Sequence, residues 1–225
     1  MTVEQLAARY PQLWHMADPR NIPGILARGL LSTSALLDVL GLGPDERRAH
    51  ERDHRPDDVV LDHPIHGTVV LRDQKPLSVA RLKTALTAGS TEDFLSFING
   101  RVFFWPTEDR LSTMNGARAY RDRPQLVLVV RAATLLATRE DRVRLSRINS
   151  GATMPFAWPR STATFQVLGE YDWSPGKRKV AEITIERGVP DIWGHVERLE
   201  VWRGGEHVRV LRKPWDETLL GRVTR

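Results

Sequence analysis

Eight residues, QLVLVVRA over 125–132, constrain the fold more than any other stretch of this chain. A nearly continuous apolar run rich in β-branched side chains reads as the central strand of a sheet. A second run, VAEITIE over 180–186, alternates with period two. Val180, Glu182, Thr184 and Glu186 share one face, and Ala181, Ile183 and Ile185 share the other. The face with Glu182 is expected to border solvent. RVFFW (101–105) reads as a further strand, with RVRL (142–145) and ATFQVL (163–168) as weaker ones. LEVWR (199–203) and HVRVLR (207–212) read as a hairpin turned by Gly204-Gly205.

Helices fall between the strands. LWHM (13–16) is a short apolar strand around one histidine, and Asp18-Pro19 starts a helix over about 19–28, with Gly29 at its stop. Residues 32–42 read as a short helix. Residues 76–87 and 91–98 keep helical spacing, the second capped by Ser90 and ended by Gly100. Thr107-Glu108-Asp109 opens a helix over about 108–119, where acids suit the dipole. Residues 44–66 are dense in charge and read as an exposed helix followed by a loop. With no repeat or long linker, the chain is expected to be one α+β domain over 1–225, with about 32–100 a mostly helical insertion.

Composition removes several chemistries. There is no cysteine among the 225 residues, so disulfides, thiol catalysis and Cys-type metal sites are excluded. No G-x-G-x-x-G, P-loop, H-E-x-x-H or G-x-S-x-G occurs, which argues against Rossmann, triphosphatase, zincin and α/β-hydrolase sites. His50 and His54 are one helical turn apart amid acids, but the segment is expected to be a solvated charged arm with no metal. No apolar stretch reads as a signal peptide or membrane helix, which predicts a soluble, cytoplasmic chain with no membrane partner. The net charge is +5, with lysine only at 75, 83, 177, 179 and 213. Arginine's planar fork suits phosphates, although biased coding explains the preference equally.

Three pieces, in order, carry a resemblance. The first is LWHMADPRNIPGILARGLL, with His15, Asn21, Ile22, Ile25, Gly29 and Leu30. The second is a strand–helix–strand unit with Phe103, Phe104 and Trp105, then Tyr120, then 126–130. The third sets Ala181-Glu182 before Val189-Pro190. Together they resemble the ADP-ribosyltransferase superfamily, nearest to the DarT-like DNA ADP-ribosyltransferase toxins and more loosely the poly-ADP-ribose polymerases and tRNA 2′-phosphotransferases. The resemblance covers about 13–31, 101–132 and 178–202. It implies a split-sheet cleft that binds NAD as co-substrate, and mono-ADP-ribosylation of nucleic acid, DNA or RNA, of the toxin or phage-defence kind. An antitoxin protein is a further implied partner. A catalytically inactive binding module and an RNA 2′-phosphotransferase are the alternatives on the same fold.

The resemblance assigns Glu182 as the carboxylate that stabilises the ribose cation. Arg110 stands nearest to the toxins' functional arginine, though this chain reads Pro106-Thr107-Glu108-Asp109-Arg110 where they have Pro-Arg. His15, Met16, Asn21, Phe104, Trp105 and Tyr120 are placed at the cofactor. The residues themselves, not the resemblance, place at the acceptor Arg160, in the loop 149–165 of small polar residues and two aromatics, and the basic Lys177, Arg178 and Lys179 just before Glu182. By pattern alone each has a plainer reading. Glu182 serves as an ordinary strand residue, and His15, Phe104 and Trp105 as core. Tyr120 becomes helix-end packing, Asn21 a helix-start residue and Arg160 part of a surface loop.

Overall fold

The computed structural model describes residues 1–174, 176 and 179–212, the side chains of 211 and 212 excepted. The chain opens with α1 (Val3–Arg9), β1 (Gln12–Ala17) and a 3-10 turn that runs into α2 (Ile22–Arg28). Next come β2 (Leu30–Leu31), α3 (Thr33–Leu40), α4 (Pro44–Glu51), β3 (Val59–His63) and β4 (Gly67–Leu71). The middle holds α5 (Val79–Ala85), α6 (Thr91–Asn99), β5 (Arg101–Phe104), α7 (Glu108–Asn115), β6 (Gln125–Arg131), α8 (Ala132–Leu136) and β7 (Val143–Ser146). The last strands are β8 (Glu182–Glu186), β9 (Gly188–Val189), β10 (Val196–Arg203) and β11 (Glu206–Arg212).

β6 is central because both its faces are apolar. It lies between β1 and β10 in an antiparallel sheet of order β1-β6-β10-β11. Leu126, Leu128 and Val130 enter the main core, while Val127 and Val129 pack on the opposite face with Trp14, Met16, Leu111 and Trp202. Burying each such side chain stabilises by roughly 1.5–3 kcal/mol, so the strand cannot slip by one residue without exchanging two filled faces.

The second sheet has the order β5-β8-β7, also antiparallel. The two sheets meet at a pair of tryptophans. Trp14 N–H donates to Trp105 O (3.0 Å) and Trp105 N–H to Trp14 O (2.8 Å). Among the described residues no ladder joins the two sheets beyond that bridge. Val102, Phe104, Ile183 and Ile185 fill the core between them. The result is an α+β fold with two separate sheets joined at a corner.

Several expected elements take a different form. Residues 163–168 give a 3-10 turn (Thr162–Thr164) and a single bridge from Gln166 to Leu145, not a strand. The stretch after α4, expected as loop, contains the hairpin β3–β4. His54 lies beyond the end of α4, so His50 and His54 do not share a helical face. The α1 capping box, in which Thr2 and Gln5 satisfy each other's N–H groups, escaped the sequence reading.

Candidate active site

The corner between the two sheets holds a cleft of ≈ 290 Å³. β1 lines it with His15 and Met16, β5 with Phe103 and the following Trp105, and β8 with Glu182. The inserted segment supplies further lining: Ser32 and Thr33 at the start of α3, Val70 and Leu71 at the end of β4, and Arg72 and Asp73 just after it. Six of the expected site residues therefore meet: His15, Met16, Asn21, Trp105, Tyr120 and Glu182.

Glu182 does not border solvent. Its face of β8 is covered by the loop after β7, and the residue is 3% exposed. Ser150 N–H donates to both carboxylate oxygens, at 3.2 and 3.1 Å. Burial pushes the carboxyl up to about 7; hydrogen bonding from Ser150 and the charges of Arg110 and Arg160 oppose that rise. This carboxyl changes charge near neutrality, as a poised catalytic group does.

His15 is held neutral. Burial lowers its pKa to about 4, with Arg72 adding to the fall and the bond to Phe103 opposing it. Its Nδ1 lies 2.9 Å from Phe103 O. A carbonyl only accepts, so Nδ1 carries the proton and Nε2 is left as an acceptor for a hydroxyl. The Phe104 ring packs beside the imidazole at 5.6 Å between centroids. Phe104 itself is a core residue at 1% exposure, and strand alternation puts Phe103 in the cleft instead.

The Asn21 amide is committed within the fold, and it does more than start α2. It donates to Val70 O (2.9 Å) and accepts from Val70 N–H (2.8 Å), mimicking a strand edge. It thereby ties the inserted hairpin to the start of α2. Tyr120 is likewise occupied. Its hydroxyl donates toward Asp73 Oδ1 (2.7 Å) or Lys75 O (2.8 Å), and its ring carries the guanidinium groups of Arg72 (5.0 Å) and Arg123 (5.4 Å). Burial and the Asp73 carboxylate raise the phenol's pKa, so Tyr120 remains a neutral scaffold.

Arg160, placed at the acceptor by sequence, is 1% exposed. Its Nη1 donates to Ser150 O (2.6 Å) and its Nε to Trp158 O (2.9 Å). It braces the loop that holds Glu182 rather than reaching outward. Arg110 lies on the first full turn of α7, outside the cleft lining, with its charge felt at Glu182. Lys179 is exposed, and its carbonyl accepts from the Tyr171 hydroxyl (2.8 Å). Lys177 and Arg178 lie outside the described residues.

The sequence reading missed Ser150, Arg72 and Arg55. Arg55 is 6% exposed and donates to His50 O, Arg72 O (3.2 Å) and Asn99 Oδ1 (2.9 Å). Desolvation lowers its pKa to about 10. No local motif marks these groups, because the partners that set them at the cleft, Glu182 for Ser150, Met16 for Arg72 and Asn99 for Arg55, lie far away in sequence.

A profile described as "Family of unknown function (DUF7002)" matches residues 11–196. No curated protein matches the chain. Two solved structures are similar to it, both of Thermus sp. 2.9 DarT at 12% identity, covering 86% of this chain and 82% of that one. The complex with ADP-ribosylated ssDNA gives a TM-score of 0.38 and the complex with NAD+ one of 0.37.

Proposed function

We propose that this chain, which belongs to the DUF7002 family of unknown function, transfers the ADP-ribosyl group of NAD to a nucleic acid. The observation that carries the reading is the Glu182 carboxyl, buried and held by the Ser150 N–H in the cleft that His15 and Trp105 also line. The whole chain acts as one domain, with 32–100 an insertion that lines the cleft.

In the reaction, the bond between nicotinamide nitrogen and ribose C1 breaks, and its electron pair leaves with nicotinamide. The acceptor's lone pair forms the new bond at C1, and the acceptor loses its proton. Positive charge develops on the ribose between these events. The ionised Glu182 accepts a hydrogen bond from the 2′-hydroxyl and stabilises that charge electrostatically, in a site where water does not screen it. Neutral His15 accepts a hydroxyl of the adenosine-side ribose through Nε2. Trp105 offers a flat apolar surface to the nicotinamide ring.

Acceptor recognition is assigned to the segment before Arg160. Met154, Phe156 and Trp158 are exposed there, Phe156 by 73% and Trp158 by 62%. Incubating the protein with NAD labelled in the adenylate moiety, with DNA, RNA and protein acceptors in separate pools, tests the proposal. Label is expected in a nucleic-acid pool. Label in no pool, together with no NAD-dependent rise in melting temperature, would sink it.

A further inference from the structure

Among the described arginines that line the cleft, Arg72 combines an orphaned guanidinium nitrogen with the lack of an ion pair, whereas Arg55 finds oxygen acceptors and Arg101 reaches Glu186 at 3.9 Å. Arg72 is partly buried, and its Nη2 is enclosed with no acceptor. Its Nη1 donates to Met16 O at 3.3 Å. Among the described residues it forms no ion pair. The acids whose charge reaches it are Asp73 and Asp58, and both are taken by Arg123, Asp73 at 2.8 Å. Desolvation accordingly lowers its pKa, with only partial help from those neighbours.

The residue is nevertheless held at both ends, two contacts on the guanidinium and two on the backbone that carries it. The Tyr120 ring lies under it, Arg55 Nε donates to its carbonyl, Met16 O anchors Nη1, and Asn21 fixes Val70 two residues earlier. A buried polar group without a partner is unfavourable, and a charged one more so. Fixing such a group so firmly beside a cleft is sensible only if an anion completes it. Ser32 and Thr33, at the start of α3, line the same cleft. Ser32 Oγ already accepts from the Ala35 N–H (3.2 Å), and the helix start still favours negative charge through its dipole.

We infer that Arg72, aided by the N-terminal turn of α3, is the anion-binding pole of this cleft and receives the diphosphate of a dinucleotide. The inference rests on the NAD reading for the identity of the ligand, but not for its charge. His15 sits beside Arg72, which places a ribose next to the diphosphate that carries it.

The test is calorimetric titration of the full chain and of Arg72→Gln with ADP, adenosine and inorganic pyrophosphate. The unaltered protein is expected to prefer ADP over adenosine and to lose that preference as salt rises. Arg72→Gln is expected to weaken ADP on the order of 10- to 100-fold, the usual worth of a charge-assisted hydrogen bond in a shielded site, with adenosine unchanged. An ADP preference that survives Arg72→Gln overturns the assignment, as does binding of neither ADP nor pyrophosphate. Pyrophosphate bound through Arg72 while adenosine ligands are refused upholds the anion site and overturns the dinucleotide reading. Should Arg72→Gln fail to fold, competition in the unaltered protein decides the point: pyrophosphate must displace ADP and leave adenosine bound.

Discussion

The burial that holds Glu182 near 7 gives it two linked pH dependences. A native carboxyl titrating above its unfolded value is fully compatible with folding below about 4.5, where both states are protonated. As pH rises from there through about 7, the unfolded chain ionises first and native stability falls. At 1.36 kcal/mol per pKa unit the penalty at pH 8 is on the order of 3 kcal/mol. Glu182→Gln removes it. The variant is expected to melt higher than the parent at pH 8 and level with it near pH 4.5, measured by thermal unfolding. Its transfer rate should be lower by on the order of 100- to 1000-fold, with NAD binding retained. In the parent, activity should rise through about pH 7, since only the ionised group stabilises a cation. An E182Q protein that melts lower at pH 8 would mean the carboxylate is structural. In the sequence the resemblance marked Glu182, while the period-two pattern alone put it on a face expected to border solvent and so misjudged its surroundings. Nothing in VAEITIE announces that the loop carrying Ser150 folds over that face.

Among elements, the strands that were legible are those whose burial is dictated by their own side chains. β6 reads directly because alternate residues fill two different cores. The hairpin β3–β4 did not read, because Val60 and Asp62 face solvent and histidines and acids crowd its flanks. Its placement instead depends on Asn21, forty-nine residues from Val70. Asn21→Ala should therefore act at a distance. It leaves the Val70 N–H and C=O without a partner, and is expected to lower stability by about 1–3 kcal/mol. It should also weaken NAD binding through the displaced Arg72, while Glu182 keeps its pH dependence. Unchanged NAD affinity would show the hairpin to be held by other contacts. Gly29 works in the same region by shape alone. Its φ is +74°, and a Cβ at this position would lie 2.4 Å from Pro190 O, so no side chain fits between α2 and the β2–β9 pair.

At the scale of the whole molecule, the cleft arises from topology, which no local motif encodes. His15, Phe103 and Glu182 converge because two sheets meet at Trp14–Trp105, with no ladder joining them beyond it among the described residues. On the proposed function, the same geometry separates the chemistry from the acceptor surface. Ser150 lies at the cleft, Arg160 N–H bonds Ala85 O (2.9 Å), and Arg81 Nη1 donates to Pro155 O (2.7 Å). The segment between Ser150 and Arg160 is thus pinned to α5 while it presents Phe156 and Trp158 outward. Thirty-three basic against 28 acidic side chains leave only a modest net charge, so under the proposed function a nucleic-acid acceptor is held by local contacts. Aromatic faces stack on bases regardless of sequence, for about 1–3 kcal/mol per base, and bases are free to stack only in single strands. The joint substitution of Phe156 and Trp158 by serine should then weaken single-stranded acceptor binding on the order of 100-fold. It should leave the melting temperature and the NAD-induced shift unchanged, because both rings already face water. Fluorescence anisotropy with labelled single and double strands, at several salt concentrations, measures it. Each phosphate contact contributes about −0.7 to the logarithmic salt slope for a single strand, and the aromatic contribution should survive at high salt. Equal affinity for duplex and single strand, or an acceptor affinity untouched by the double substitution, would remove this segment from the acceptor site and leave the Glu182 assignment standing.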